Sequence, residues 1–233
     1  MADPAPDDVL LVRRLLAAAR VKSRAIAEQL HPAWLQMAAQ RIGIDDAHAI
    51  DNPGCSSALA AIYRLQWPSL ASLCLRAHRI AVLPRADMMR VLAFIALHAQ
   101  RERVRRCIGR PLRGALIDRV GETALAALLA TPPAGTPPKV PATAYSLPEL
   151  DADRLATDGY AWLGGNGRWQ SRALLPWLKL ALPPVHGPAG AFPAPGASRD
   201  GETLLGRLPD YLPEHAWLFG SPMDRALSAS TTA

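Results

Sequence analysis

The stretch that decides the fold is residues 84–129, which read PRADMMRVLAFIALHAQRERVRRCIGRPLRGALIDRVGETALAALL. Gly109 and Pro111 predict a break in the middle, where one helix ends and a second begins. Apolar spacing predicts that the first helix, from about residue 84 to 107, aligns Met88, Val91, Leu92, Ile95, Ala99 and Glu102. The second is predicted to bury Leu112, Ala115, Leu116, Val120, Ala124 and Leu128. The segment therefore predicts a central helical hairpin from about 85 to 129.

The composition of the whole chain also favours helices. Half of its 233 residues are hydrophobic, which predicts a folded core rather than a disordered chain. Ala and Leu dominate the apolar residues, whereas the strand-favouring Val, Ile and Thr are scarce. We therefore predict a mainly α, compact helical domain with at most one minor short strand. Residues 172–182, where leucines alternate with other residues, are interpreted as helix, with a short strand as the open alternative.

Proline-rich sequence divides the chain. Residues 131–148 read TPPAGTPPKVPATAYSLP, and such a density of proline predicts a semi-extended surface linker. We expect an N-terminal helical part at 1–130, which includes the basic hairpin, and a C-terminal helical part at 149–220 that packs on the same core. A flexible tail is expected at 221–233.

Helices outside the hairpin carry more local expectations. Gly159 should weaken a helix near residues 149–163, because glycine is a poor helix former. Pro209 and Pro213 should break the segment 202–219 into short helical pieces. The first helix is expected to bury a stripe and to keep its basic residues, Lys22 among them, mostly off it; the stripe consists of Val12, Leu15, Leu16 and Ala19.

Positive charge is concentrated in one part of the chain. Between Arg76 and Arg119 there are eleven arginines and only three acidic residues, in a chain whose net charge is +6. Arginine-biased codon usage would explain the excess of arginine over lysine, but not this clustering. Because a guanidinium can bind a carboxylate or phosphate through two hydrogen bonds, we predict a partner-binding site at the hairpin corner. Its residues are Arg101, Arg103, Arg105, Arg106, Arg110 and Arg113.

A charge reversal follows from this assignment. Replacing Arg105 and Arg106 by Glu is expected to impair partner docking while leaving the fold intact. The expectation rests on the place of both residues at the corner, between the two helices of the hairpin.

No pattern in the sequence indicates a catalytic site. Residues 164–167 are glycine-rich, but no Lys-Ser/Thr pair follows, as a phosphate-binding loop requires. Cys74 and His78 are four residues apart, and two ligands do not make a zinc site; a packed thiol beside a satisfied histidine is the simpler interpretation. No carboxylate pair is nominated for acid–base chemistry. We predict a protein that is not an enzyme and uses no metal, cofactor or small-molecule substrate.

Several features predict a cytoplasmic protein. Cys55, Cys74 and Cys107 are an odd number without framework spacing, which is typical of a reducing compartment. The start MADPAPDD lacks the basic residues of a signal peptide. The apolar run from Val91 to Gln100 is about half the roughly 20 residues of a membrane helix. We expect no direct membrane insertion, and association with a membrane only through partners.

Several stretches resemble the sorting-platform adaptors of type III secretion, the YscK/SctK-type family. They are LHPAWL at 30–35, the hairpin segment at 94–129, GYAWL at 159–163, LKLALP at 178–183 and Leu218-Phe219. The hairpin segment is the most informative, because family members resemble it in Leu-His followed by Arg-Arg-Cys, a short break and a Leu-rich helix. The resemblance spans most of the chain from Leu30 to Phe219.

The resemblance implies a non-catalytic cytoplasmic adaptor of the injectisome. Such a protein would link the cytoplasmic domain of the inner-membrane ring protein (SctD type) to the pod protein (SctQ type) that carries the ATPase complex. An alternative from the residues alone is an Arg-rich helical nucleic-acid-binding regulator, since two helices joined by a short turn resemble a helix-turn-helix. Asp118 and Glu122, predicted on the outside of the second helix, make nucleic acid an unfavoured partner.

Overall fold

The computed structural model describes residues 6–43, 53–67, 69, 72–73, 75–107, 109–131, 143–165, 174–184 and 199–219. Within these ranges it contains thirteen α-helices and no β-strand, which confirms the mainly α prediction. The helices are α1 (Pro6–Arg24), α2 (Ile26–Gln29), α3 (Pro32–Ile42), α4 (Pro53–Ile62), α5 (Arg76–Arg79), α6 (Arg85–Ala99), α7 (Arg101–Arg105), α8 (Arg110–Val120), α9 (Glu122–Ala130), α10 (Ala152–Gly165), α11 (Leu175–Lys179), α12 (Arg199–Tyr211) and α13 (Ala216–Phe219). Short 3-10 helices occupy Ile80–Val82, Leu147–Leu150 and Pro213–His215.

Helix α6 lies at the centre of the core. Nine of its fifteen residues are buried, and the side chains of Phe94 and Ile95 have no exposed surface. The sequence predicted burial along one face only. The structure buries α6 on more than one side, because α10 and α8 both pack against it. A helix that is apolar around most of its circumference belongs in an interior of this kind.

The contact between α6 and α10 depends on a glycine. Among the described elements, α10 is the most extensive partner of α6. At their crossing, a Cβ atom on Gly159 would lie 1.9 Å from the carbonyl oxygen of Leu92. Any side chain there would push the helices apart, since atoms cannot overlap to that extent. The low helix propensity of Gly159 is therefore offset by the close approach it permits.

The predicted hairpin at 85–129 consists of four helices rather than two. Gln100 leaves the helical conformation (φ −116°, ψ 34°) and separates α6 from α7. Gly121 (φ 87°) separates α8 from α9, in a conformation that side chains rarely adopt. The apolar spacing continues across Gly121, so sequence periodicity could not reveal this kink. The break at Gly109 (φ 108°), with Pro111 in the first turn of α8, is confirmed.

Helix α1 is rotated relative to the predicted stripe. Leu15 is buried as expected, but Leu16 is 40% exposed. Lys22, predicted to lie off the stripe, is buried, and its Nζ donates to the carbonyl oxygens of Ala81 at 2.8 Å and Leu83 at 2.7 Å. The acceptors come from a turn about sixty residues away in the chain, so a local pattern could not indicate them.

Two expectations for the C-terminal part have different outcomes. Residues 175–179 form α11, so the helical interpretation of 172–182 is confirmed where it falls on described residues. The predicted break at Pro209 is wrong, because α12 continues to Tyr211. The missing N–H of Pro209 costs one hydrogen bond in the last turn, and the buried leucines of α12 hold that turn against the core. Pro213 does begin a separate 3-10 helix.

Both sides of the predicted linker contribute to one cluster of buried hydrophobic residues. Leu155 and Leu163 of α10 and Leu205 of α12 join the buried residues of α6. Most of the linker predicted at 131–148, and all of the tail predicted at 221–233, lie outside the described residues. At the described end of the linker, Tyr145 is buried in the same cluster.

Candidate functional site: the basic corner

The basic corner is the region where α7 ends and α8 begins. We use this name for the six arginines that the sequence selected: Arg101, Arg103, Arg105, Arg106, Arg110 and Arg113. The left-handed backbone of Gly109 turns the chain between the two helices. The structure therefore brings these side chains to one end of the α7–α9 region, but it gives them unequal environments.

Arg103 is fully engaged within the protein. Its Nε donates to the carbonyl oxygen of Thr143 at 3.1 Å, and its Nη1 donates to Oε1 of Gln100 at 3.1 Å. Its Nη2 lies 2.8 Å from Oε1 of Glu149. The guanidinium also lies over the ring of Tyr145, at 4.0 Å from the centroid. Arg103 therefore holds the chain at 143–149 against α7.

The carboxylate of Glu149 completes this contact. The hydrogen bond from Arg103 and a second from the backbone N–H of Ser146 lower the pKa of Glu149 to about 2. The Ser146 hydroxyl donates to the same carboxylate at 2.8 Å, so the pair caps the 3-10 helix Leu147–Leu150. Glu149 therefore stays ionised across the whole physiological pH range.

Arg105 and Arg101 are also partly buried. Arg105 pairs with Glu102 and donates to the carbonyl oxygen of Thr131, which joins α7 to the end of α9. The Nε of Arg101 is buried and has no hydrogen-bond partner within the described ranges. The contacts of Arg105 argue against the expectation that its reversal to Glu leaves the fold intact, because a carboxylate there would face Glu102 and a carbonyl oxygen.

The other three arginines point to solvent. Arg106, Arg110 and Arg113 are exposed, and none of them forms an ion pair within the described parts of the chain. Three guanidinium groups are thus available to an incoming carboxylate or phosphate. The six predicted residues divide into an inner group that supports the fold and an outer group that is free to bind.

An apolar cavity of about 220 Å³ opens beside Arg113, one of the outer arginines. Arg105 and Arg113 contribute its basic lining, and its remaining walls come from α7, α8 and α9. Buried side chains form most of those walls: Val104, Cys107, Leu116, Leu125 and, partly buried, Leu129. A cavity of this type accepts one apolar side chain while the arginines bind neighbouring acidic groups.

Sequence analysis missed this cavity because its walls come from three helices. Leu116 was correctly predicted as buried, but Leu125 and Leu129 had no assigned neighbours. Cys107 is a free, buried thiol whose Sγ donates to the carbonyl oxygen of Arg103 at 3.4 Å, as expected for a packed cysteine. The kink at Gly121 turns α9 back toward α7 and so completes the cavity.

The Cys74/His78 pair shows no sign of a chemical role where the structure describes it. His78 is buried, and its Nδ1 lies 2.6 Å from the carbonyl oxygen of Ser72, whereas Cys74 lies outside the described residues. The described residues contain no cluster of three or more potential metal ligands. No helix in the described ranges combines the length and the apolar character needed to cross a membrane.

The residues of the motif at 30–35 make hydrogen bonds inside the fold. His31 caps α3 by accepting from the N–H of Ala33 at 3.2 Å, and its Nε2 lies 3.1 Å from Asp153 of α10. The indole N–H of Trp34 donates to the carbonyl oxygen of Leu182 at 2.8 Å. This motif, like GYAWL with Gly159, therefore marks the packing of the fold rather than a binding surface.

The protein is thus mainly helical in its described parts, and its basic corner carries exposed arginines beside an apolar cavity. A family model described as bacterial type III secretion protein (HrpB4) matches residues 12–214. The chain therefore belongs to the HrpB4 family of bacterial type III secretion proteins. The match confirms the predicted link to type III secretion, while the YscK/SctK-type assignment stays a prediction. No curated protein and no solved structure matches the chain.

Proposed function

We propose that this protein is a non-catalytic cytoplasmic adaptor of the type III secretion injectisome. It links the cytoplasmic domain of the SctD-type inner-membrane ring protein to the SctQ-type pod protein and takes no small-molecule substrate. The observation that carries the proposal is the match of residues 12–214 to a type III secretion family. We infer the two partners from the resemblance to YscK/SctK-type adaptors.

The outer arginines support a docking role for the basic corner. Arg106, Arg110 and Arg113 are exposed without acidic neighbours in ion-pair range among the described residues. Arg113 also lines an apolar cavity, and binding energy at protein interfaces is concentrated where an apolar side chain fills such a cavity beside arginines. An acidic partner segment that carries one apolar side chain would complement both features.

Co-purification tests this proposal. The full chain is expected to retain the SctQ-type and SctD-type proteins of the same secretion system. The double variant Arg106→Glu/Arg113→Glu should retain at least about tenfold less of one partner, since like charges then face the acidic segment. The variant Arg41→Glu/Arg64→Glu carries the same change of charge at exposed positions away from the corner, and it should bind normally.

Two outcomes would contradict the proposal. A deletion strain that still assembles pods would show that the chain is not the link between ring and pod. Binding of the purified chain to random duplex DNA, with a steep loss of affinity as salt rises and without binding to either protein, would favour a nucleic-acid-binding role instead.

A further inference from the structure

The outward side of α1 is a second surface without a partner in the described structure. Leu11, Leu15 and Lys22 of this helix are buried in the core. About 120° around the helix from this buried face, Leu10 is 50% exposed and Val21 is 66% exposed. Aliphatic side chains exposed singly are common on protein surfaces, so the alignment of these residues along the helix carries the argument.

These aliphatic residues form a stripe along the helix. At about 100° per residue, Leu10, Ala17 and Val21 lie within about 40° of one another around the helix, seven and then four residues apart. All three are exposed. We call this line, together with the arginines beside it, the α1 stripe. A second helix that packs along this line would contact all three side chains.

Arginines lie on both sides of the α1 stripe. Arg14 lies on one side, and the other side carries Arg13, Arg20 and Arg24; all four are exposed. The sequence from Val9 to Arg24 contains no acidic residue. None of the four arginines forms an ion pair with another part of the chain that the structure describes. The stripe is therefore apolar along its line and cationic along both sides.

We infer that the α1 stripe is a docking surface for an amphipathic helix of a partner protein, with an aliphatic contact line flanked by Glu or Asp. Interhelical pairs between such flanking charges select partner and orientation in helix–helix association. The surface is separate from the basic corner, because α1 packs on α2, α4, α13 and the 3-10 helix Ile80–Val82 rather than on α7–α9. The inference stands without the corner assignment.

The order of side chains around α1 favours a helix over a lipid surface. Val9 and Leu16 form a second exposed aliphatic group on α1. Arg13, Arg20 and Arg24 project between this group and the α1 stripe, so a flat bilayer could not take up both groups without burying guanidinium groups. A partner helix contacts a narrower strip and can follow the line of Leu10, Ala17 and Val21 while its own carboxylates reach the arginines.

A designed peptide provides the probe. It has about three heptads with Leu at positions a and d and Glu at positions e and g, so that glutamate repulsion opposes its self-association. We expect the full chain to bind it saturably in fluorescence anisotropy, and to bind it less tightly as salt rises. The variant Leu10→Asp/Val21→Asp should weaken binding at least about tenfold, because the partner's leucines then face carboxylates.

Matched controls keep the test specific. Leu147→Asp changes a leucine that is 52% exposed elsewhere and should leave peptide binding unchanged. A peptide with Lys in place of Glu should not bind. The charge variant Arg20→Glu/Arg24→Glu tests the flanks separately, with its fold checked by circular dichroism and thermal unfolding.

Three results would overturn the inference. They are the absence of saturable binding to the acidic peptide, unchanged binding by both α1 variants, and equal binding of the lysine peptide. Tighter binding to vesicles of phosphatidylcholine and phosphatidylglycerol than to the peptide, abolished by the same variants, would assign the surface to anionic lipid and would also overturn it.

Discussion

Arginine has two physically different roles at the basic corner. Arg103 makes five polar or cation–π contacts inside the protein, whereas Arg106, three residues later, is exposed to solvent. Both residues are arginines of the same cluster. Their environments differ because the segment 143–149 packs against Arg103. Removing a partly buried, paired guanidinium costs more stability than removing an exposed one, because it leaves acceptors without donors.

We therefore expect Arg103→Ala to lower the free energy of unfolding by about 2 kcal/mol. Arg106→Ala should change it by less than about 0.5 kcal/mol. Urea unfolding followed by circular dichroism measures both. Equal effects of the two substitutions would contradict the division into an inner and an outer group.

Lys22 is a buried base without a carboxylate partner among the residues that the structure describes. Its ammonium donates to two carbonyl oxygens and lies 5.7 Å from the ring centroid of Trp177. Burial lowers its pKa to about 7, because desolvation disfavours the charged form. In the unfolded chain a lysine pKa is about 10.4. Between these values the unfolded state binds a proton that the folded state does not.

The free energy of unfolding is therefore expected to rise with pH between about 7 and 9 through the contribution of Lys22. Lys22→Met removes this contribution. The wild type should therefore gain stability relative to the variant as the pH rises from about 7 to 9. Denaturant unfolding at pH 7, 8 and about 9 provides the comparison. Parallel pH profiles for the two proteins would show that Lys22 titrates normally.

At the scale of elements, the crossing of α6 and α10 decides the architecture. Glycine lowers the intrinsic stability of α10, yet it allows the backbone of α10 to lie against the carbonyl group of Leu92. By contrast, a Cβ atom on Gly114 of α8 would have no heavy atom within 4 Å. The two glycines have the same propensity and opposite packing environments.

Gly159→Ala should lower the free energy of unfolding by about 3 kcal/mol, because the methyl group overlaps a main-chain oxygen. Gly114→Ala should instead raise it by up to about 1 kcal/mol through helix propensity alone. Thermal unfolding of both variants would distinguish the signs. If Gly159→Ala were neutral, the helices would not approach as closely as described.

At the scale of the whole molecule, the core extends beyond the part that matches the family model. The match ends at residue 214, but Leu218 and Phe219 of α13 have no exposed surface. The buried guanidinium of Arg79 donates to the carbonyl oxygen of Leu218 at 2.8 Å and to that of Leu73 at 2.9 Å. Helix α13 thus closes the core near α5 and α1.

Phe219→Ala should therefore destabilise the whole fold by about 3–5 kcal/mol, the usual cost of removing a buried aromatic ring. Leu147→Ala, at a half-exposed position, should cost less than about 0.5 kcal/mol. Chemical denaturation monitored by both tryptophan fluorescence and circular dichroism would show whether the Phe219 variant unfolds in one transition at lower denaturant. A small effect confined to fluorescence would mean that α13 is a peripheral addition.

Local sequence determined the features that depend on neighbours in the chain. The helical class, the break at Gly109 and the burial of residues such as Leu116 all follow from propensity and from apolar spacing along one helix. The clustering of arginine and the resemblance to type III secretion adaptors were also readable without coordinates. The family match bears out the broader part of that resemblance.

Tertiary structure alone decided the features that depend on residues far apart in the chain. Lys22 is buried because a turn about sixty residues away supplies its acceptors, and Gly159 is needed because Leu92 lies across from it. Arg103 and Arg106 differ because segment 143–149 reaches only the first. The local sequence determines the conformational preference of each residue. Whether a side chain is buried and paired depends on which distant segments of the chain pack beside it.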